Sequence, residues 1–144
     1  MFLYSILIYC SSGDKHQFEL PLHRREVMVF TSTPQSLLDK YYVPLSANFP
    51  AVDALTKEAA LQCCVTDKHP VKGVQTINAL ATLYPEGELI LVFVVPESIV
   101  LQFKRQPIQT AAGKNPRKLP RVRQFVAGLP LGIDTSLLKK RRIT

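Results

Sequence analysis

Three things are scarce in this 144-residue sequence, and each scarcity excludes something. The longest apolar run, residues 89 to 96, ends at a proline and falls far short of the roughly 20 residues that a bilayer-spanning helix needs. Residues 2 to 10 form an apolar stretch interrupted by serine and tyrosine and without a basic region before it, so a buried strand fits it better than a signal peptide. Cysteine is limited to Cys10, Cys63 and Cys64, an odd number whose adjacent pair could bond only with strain. No C-x-x-C pair and no grouping of Cys with His gives zinc-ligand spacing, so the thiols read as reduced groups of an intracellular compartment and His69 as a turn residue. The third scarcity is of carboxylates near the C-terminus. Residues 104 to 144 carry 11 Lys and Arg against Asp134 alone, whereas residues 1 to 103 carry 7 against 10 Asp and Glu.

That asymmetry gives the C-terminal third a charge of +10 within a chain of net charge +7. Such a surface suits a polyanionic partner, DNA or another nucleic acid first, and an acidic protein or chromatin second. Lys104, Arg105, Lys114, Arg117, Lys118, Arg121 and Arg123 are the candidate nucleic-acid contacts. Glycine and prolines make the middle of this segment a loop able to follow a phosphate backbone. Phe125 is its only nearby aromatic, so base stacking is a minor contribution. Lys139, Lys140, Arg141 and Arg142 form a compact cluster of the type read by nuclear import receptors.

What is present in quantity is apolar material, 47% of residues, enough for one core. The expected organisation is a single α/β domain over residues 1 to 133 and a basic tail over residues 134 to 144. QFEL and EVMVF read as strands, and TSTPQSLLDK suits a short helix before the strand-like YYV. AVDAL and ALQCCV read as a hairpin. Val74, Ile77, Ala81 and Tyr84 fall at helical spacing, which predicts a helix of about 13 residues after Pro70. ELILVFVVP reads as a strand buried on both faces, ESIVLQFKRQ as a helix with Glu97 at its positive end, and RQFVAGLPL as a last short strand. Residues 107 to 120 read as a mobile loop.

The hairpin carries the residues with chemical potential. Asp53 lies between two apolar residues, and Gln62, Lys68 and His69 follow. Asp53 could end a strand and bond local backbone, or it could belong to a site.

The succession YYVP, NFPAVDAL, LQCCVTDKHP, VFVVPESIVLQFKRQ and QFVAGLPL, spanning residues 30 to 131, resembles the C-terminal domain of the Crinkler effectors and the retrotransposon hot spot proteins. The resemblance implies a restriction-endonuclease-like core, a mixed central sheet flanked by two short helices, truncated at the N-terminus relative to the family. It also implies action in the nucleus, reached in an effector's case after secretion into a host. In enzymes of that fold an acid ends one strand, and a Glu or Gln and then a Lys stand one residue apart on the adjoining strand. On that template Asp53 and Gln62 are the metal ligands, for Mg²⁺, and DNA endonuclease activity follows. Cys64 stands where the lysine belongs. Lys68 is the substitute cation, with Asp53, Gln62 and Lys68 the catalytic set and His69 a base near neutral pH. The family's further helical glutamate has no counterpart, because Glu19 and Glu26 fall on strand-like segments. Two functions stay open: a nucleic-acid-binding domain with an active or a degenerate nuclease site, and a non-enzymatic module binding an acidic protein or chromatin.

Overall fold

A computed structural model of the chain describes the backbone of residues 8 to 10 and, in full, residues 24 to 129. The expected strand QFEL and the cluster of Lys139, Lys140, Arg141 and Arg142 lie outside the described residues.

The class is α/β, built on one mixed sheet. Its strands are β1 (Ile8–Cys10), β2 (Val27–Phe30), β3 (Tyr41–Pro44), β4 (Ala54–Leu55), β5 (Ala60–Cys63), β7 (Leu89–Pro96) and β9 (Val122–Leu129), in the order β1-β9-β7-β5-β4-β3-β2. Two further strands, β6 (Val71–Lys72) and β8 (Ile108–Gln109), pair with each other in parallel, and α1 (Val74–Ala81) is the one α-helix among the described residues.

The run LILVFVVP becomes β7 for the reason its composition suggests. Parallel strands on both sides, β5 and β9, leave it no solvated edge, so both of its faces must be apolar. Leu89, Leu91, Phe93 and Val95 pack in one cluster with Ile77, Leu80 and Ala81 of α1. Val92 packs on the opposite face with Ala59, Phe125 and Ala127. Phe93 and Phe103 meet at a ring separation of 5.0 Å. β9 has eight residues, all of them paired with β7.

β4 and β5 form the expected hairpin, with Ala54 opposite Leu61 and Leu55 opposite Ala60. Thr56 closes it, its hydroxyl accepting from the backbone N–H groups of Glu58 and Ala59. Arg25 braces the same turn from β2's side. Its buried guanidinium lies 3.1 Å from Glu58 and 2.8 Å from Asp39, over the Tyr41 ring.

α1 has eight residues, not about 13. Val71 and Lys72 are committed to the ladder with β8, so the helix begins only after Gly73, whose φ of +108° favours glycine. A Cβ there would meet the Pro50 side chain at 2.8 Å. At the other end Leu83 and Tyr84 switch to three-residue hydrogen bonds, and Pro85 holds Tyr84 extended. Tyr84 still reaches the core, where its hydroxyl donates to the Thr56 carbonyl and burial pushes the phenol's pKa upward.

The expectation of two flanking helices is corrected by two segments. Residues 31 to 40 hold no helix; the backbone N–H of Leu38 donates instead to the Tyr42 hydroxyl, and the chain bends back into β3. Residues 97 to 99 make a single 3₁₀ turn. Val100 and Phe103, three apart, both enter the core there, a spacing that a tight turn aligns better than an α-helix. Residues 107 to 120 are also more structured than a free loop. They contain β8 and a turn in which the Lys114 N–H donates to the Thr110 hydroxyl and the Thr110 N–H to the Lys114 carbonyl.

Candidate nucleic-acid interface

Asp53 and Gln62 are brought together by the hairpin register. Asp53 stands just before β4, and its backbone N–H donates to the Leu61 carbonyl on β5. Gln62 Nε2 donates to Asp53 Oδ2 at 3.1 Å, and the Cys63 backbone N–H donates to the same oxygen at 2.7 Å. Gln62 is buried and Asp53 exposed, so the carboxylate is tethered at the surface by a partner within the sheet.

In this arrangement Gln62 acts as a hydrogen-bond donor. Service as a metal ligand requires its terminal amide to turn so that Oε1 faces the carboxylate. Two oxygens would then approach each other, an arrangement that only a cation favours. Among the described residues no group of three or more His, Cys, Asp and Glu is placed to hold a metal ion.

Cys64, at the position of the family's lysine, is buried. Burial, with the nearby Asp53 carboxylate and Cys63, pushes its thiol up to about 12, so it stays neutral at physiological pH. Cys63 is exposed at the hairpin edge, and partial burial of its sulfur followed by the Asp53 charge raises its thiol too. Lys68 is exposed and lines a separate groove with His69 and Lys72, in which neither Asp53 nor Gln62 takes part.

Six of the seven basic residues lie along the connection from β7 to β9, Arg123 is the second residue of β9 itself, and all seven are exposed. They divide into two groups. Arg121 and Arg123 face Glu88 at 3.8 and 3.7 Å, and Arg121 also donates to the Glu86 carbonyl. Lys104, Arg105, Lys114, Arg117 and Lys118 have no carboxylate within ion-pair distance among the described residues. Phe125 is buried beneath the Arg123 guanidinium, 5.4 Å from ring centre to cation, and offers no open face for a base.

The segment is held by Gln106, a residue without any sequence signal. Its Oε1 accepts from the His69 backbone N–H at 2.6 Å, and its Nε2 donates to the carbonyls of Asp67 and Lys104. Gln124 on β9 anchors the backbone of Gln106 in turn. Lys104 and Arg105 are thereby fixed beside the loop that carries Lys68 and His69. Lys72 is a second residue that sequence reasoning missed; its neighbours come from turn 110 to 114, forty residues later.

Comparison with family models, with curated proteins and with solved structures finds no match to this chain.

Proposed function

We propose that this chain is a nucleic-acid-binding domain that holds the phosphodiester backbone through its basic connection between β7 and β9. The observation that carries this reading is the set of five exposed cations, Lys104, Arg105, Lys114, Arg117 and Lys118, with no carboxylate partner among the described residues, on a segment that itself contains no acid. Cations whose field is not cancelled locally attract polyanions and release counterions on contact. With no aromatic face beside them, the contacts are electrostatic and read little sequence. The restriction-endonuclease-like core and the Crinkler or hot-spot kinship belong to the same proposal, supported by an acid before one strand and a glutamine on its antiparallel neighbour. A nuclear address through Lys139, Lys140, Arg141 and Arg142 would bring the domain to its ligand.

A second reading, Mg²⁺-dependent cleavage of DNA, is favoured by one observation, the 3.1 Å contact between Asp53 and Gln62. Asp53 Oδ2 and, after the amide turns, Gln62 Oε1 would hold the ion, which supplies polarisation of a phosphoryl oxygen. The chain's own residues support this chemistry less well. Cys64 contributes no positive charge, and Lys68 lies in another groove.

Binding is tested by mobility shift of a duplex at low salt, with and without replacement of Arg117 and Lys118 by alanine; retarded DNA that is released by the double substitution is expected. Equal retardation would sink the proposed surface. Cleavage is tested on supercoiled plasmid with Mg²⁺ or Mn²⁺, using Asp53→Asn, which keeps a hydrogen-bond acceptor for the Cys63 N–H. Nicking by the wild type that Asp53→Asn abolishes would establish the second reading, and plasmid left intact by the wild type would dismiss it.

A further inference from the structure

Beside the basic connection runs a groove of about 500 Å³ that the surface just described does not include. Three segments far apart in sequence build it: Pro50 and Ala51 from the loop before β4, Lys68, His69 and Lys72 around β6, and Ala111 from turn 110 to 114. Its ionisable lining consists of two lysines and a histidine, with no carboxylate. Asp67, the nearest acid in sequence, does not line it.

The groove is rigid on the side that carries the cations. Gln106 pins the His69 backbone, and β6 is paired with β8 through Val71 and Ile108. The Gly73 N–H continues that ladder by donating to the Gln109 carbonyl. Lys72 Cε lies within van der Waals reach of a Cβ placed at Gly113, so turn 110 to 114, which leads into Lys114, closes over the Lys72 side chain. Positive charge therefore continues from Lys114 into the groove.

Resting on the proposed nucleic-acid binding, we infer that this groove takes a single-stranded segment of the nucleic acid, with Lys68 and Lys72 neutralising its phosphates. The reason is shape. A duplex is a stiff cylinder whose phosphates are met by side chains projecting from a surface. A concavity of about 500 Å³ is in the size range of small-ligand clefts and admits only a chain flexible enough to be drawn into it. With no Phe, Tyr or Trp in the lining and His69 its one aromatic ring, the strand is held mainly by its backbone and its bases are little read.

The test is fluorescence anisotropy of the full chain with a labelled single-stranded oligothymidylate and, separately, a labelled duplex, each titrated with salt. For Lys68→Ala combined with Lys72→Ala, the slope of log K against log salt for the single strand should flatten by about 1.4, while the duplex slope stays unchanged. Ala111→Glu, at an exposed position, should weaken the single strand selectively without removing either lysine. Slopes that flatten equally for both ligands would assign the lysines to a general duplex surface and overturn the groove. So would a single-strand titration indifferent to either variant. Wild-type protein that binds neither ligand at low salt removes the proposed function and this inference together, whereas duplex binding with no single-strand effect removes the inference alone.

Discussion

Gln106 and Gln124 hold each other through a reciprocal pair of hydrogen bonds. The Gln106 backbone N–H donates to Gln124 Oε1 at 2.8 Å, and Gln124 Nε2 donates back to the Gln106 carbonyl at 2.8 Å. Both residues are buried, so neither backbone group can turn to water. Replacing Gln124 by leucine fills similar space but leaves a buried N–H and a buried carbonyl without their partner, at a cost of roughly 1 to 3 kcal/mol for each group. Urea denaturation should show that loss. Amide hydrogen exchange should accelerate across residues 104 to 109, and unaltered exchange there would mean that the connection is held by other contacts.

Arg25 supplies the other buried polar node. Its side chain is only 1% exposed and bridges Asp39 and Glu58, joining the approach to β2, the bend before β3 and the β4/β5 turn. Arg25→Met strands Glu58, which is itself only partly exposed. Breaking a buried pair from one side typically costs about 3 to 5 kcal/mol, so a loss near the lower figure is expected from chemical denaturation. A variant as stable as the wild type would show that the node contributes no net stability.

The thiols report on Asp53. Partial burial and then the Asp53 carboxylate raise the Cys63 pKa above its ordinary value of 9.0, so little thiolate forms at pH 7.5 although the residue is exposed. Asp53→Asn removes the charge and lowers the Cys63 pKa, and Ellman's reagent should then react faster at that pH. An unchanged rate would mean that Asp53 exerts no field at the sulfur.

Cys64 adds a dependence on alkaline pH. Its folded-state pKa, about 12, lies above the ordinary 9.0. Its contribution is therefore complete below pH 9 and declines as pH rises from there towards 12, because the unfolded chain gives up the proton first. The melting temperature should fall more steeply between pH 9 and 10.5 in the wild type than in Cys64→Ser. Parallel curves would contradict the buried, protonated thiol.

Much of this fold is legible in the sequence because it rests on patterns that repeat within a few residues. β7 announces itself as an unbroken β-branched run. Ile77 and Ala81 mark the buried stripe of α1, and the hairpin that joins Asp53 to Gln62 follows from two short apolar segments with a polar turn. What was not legible depends on partners far along the chain. Residues 97 to 103 carry helix-compatible side chains, but with Val100 and Phe103 both buried the chain makes only a 3₁₀ turn over residues 97 to 99 followed by further turns. Lys72 meets turn 110 to 114 through a two-residue ladder, Val71 with Ile108 and Lys72 with Gln109, that no periodicity signals. Gln106 finds Gln124 eighteen residues away, and nothing in either residue's local sequence distinguishes it from an exposed glutamine.

Salt dependence tests the nucleic-acid surface most directly. If about four of the exposed cations neutralise phosphates on duplex DNA, log K should fall against log salt with a slope near −3.6, and Arg117→Ala with Lys118→Ala should flatten it by about 1.8. Arg121 and Arg123, which face Glu88, should contribute less when replaced in the same way. Binding that cannot be detected at low salt, or a slope indifferent to the loss of Arg117 and Lys118, would contradict nucleic-acid binding through the connection between β7 and β9.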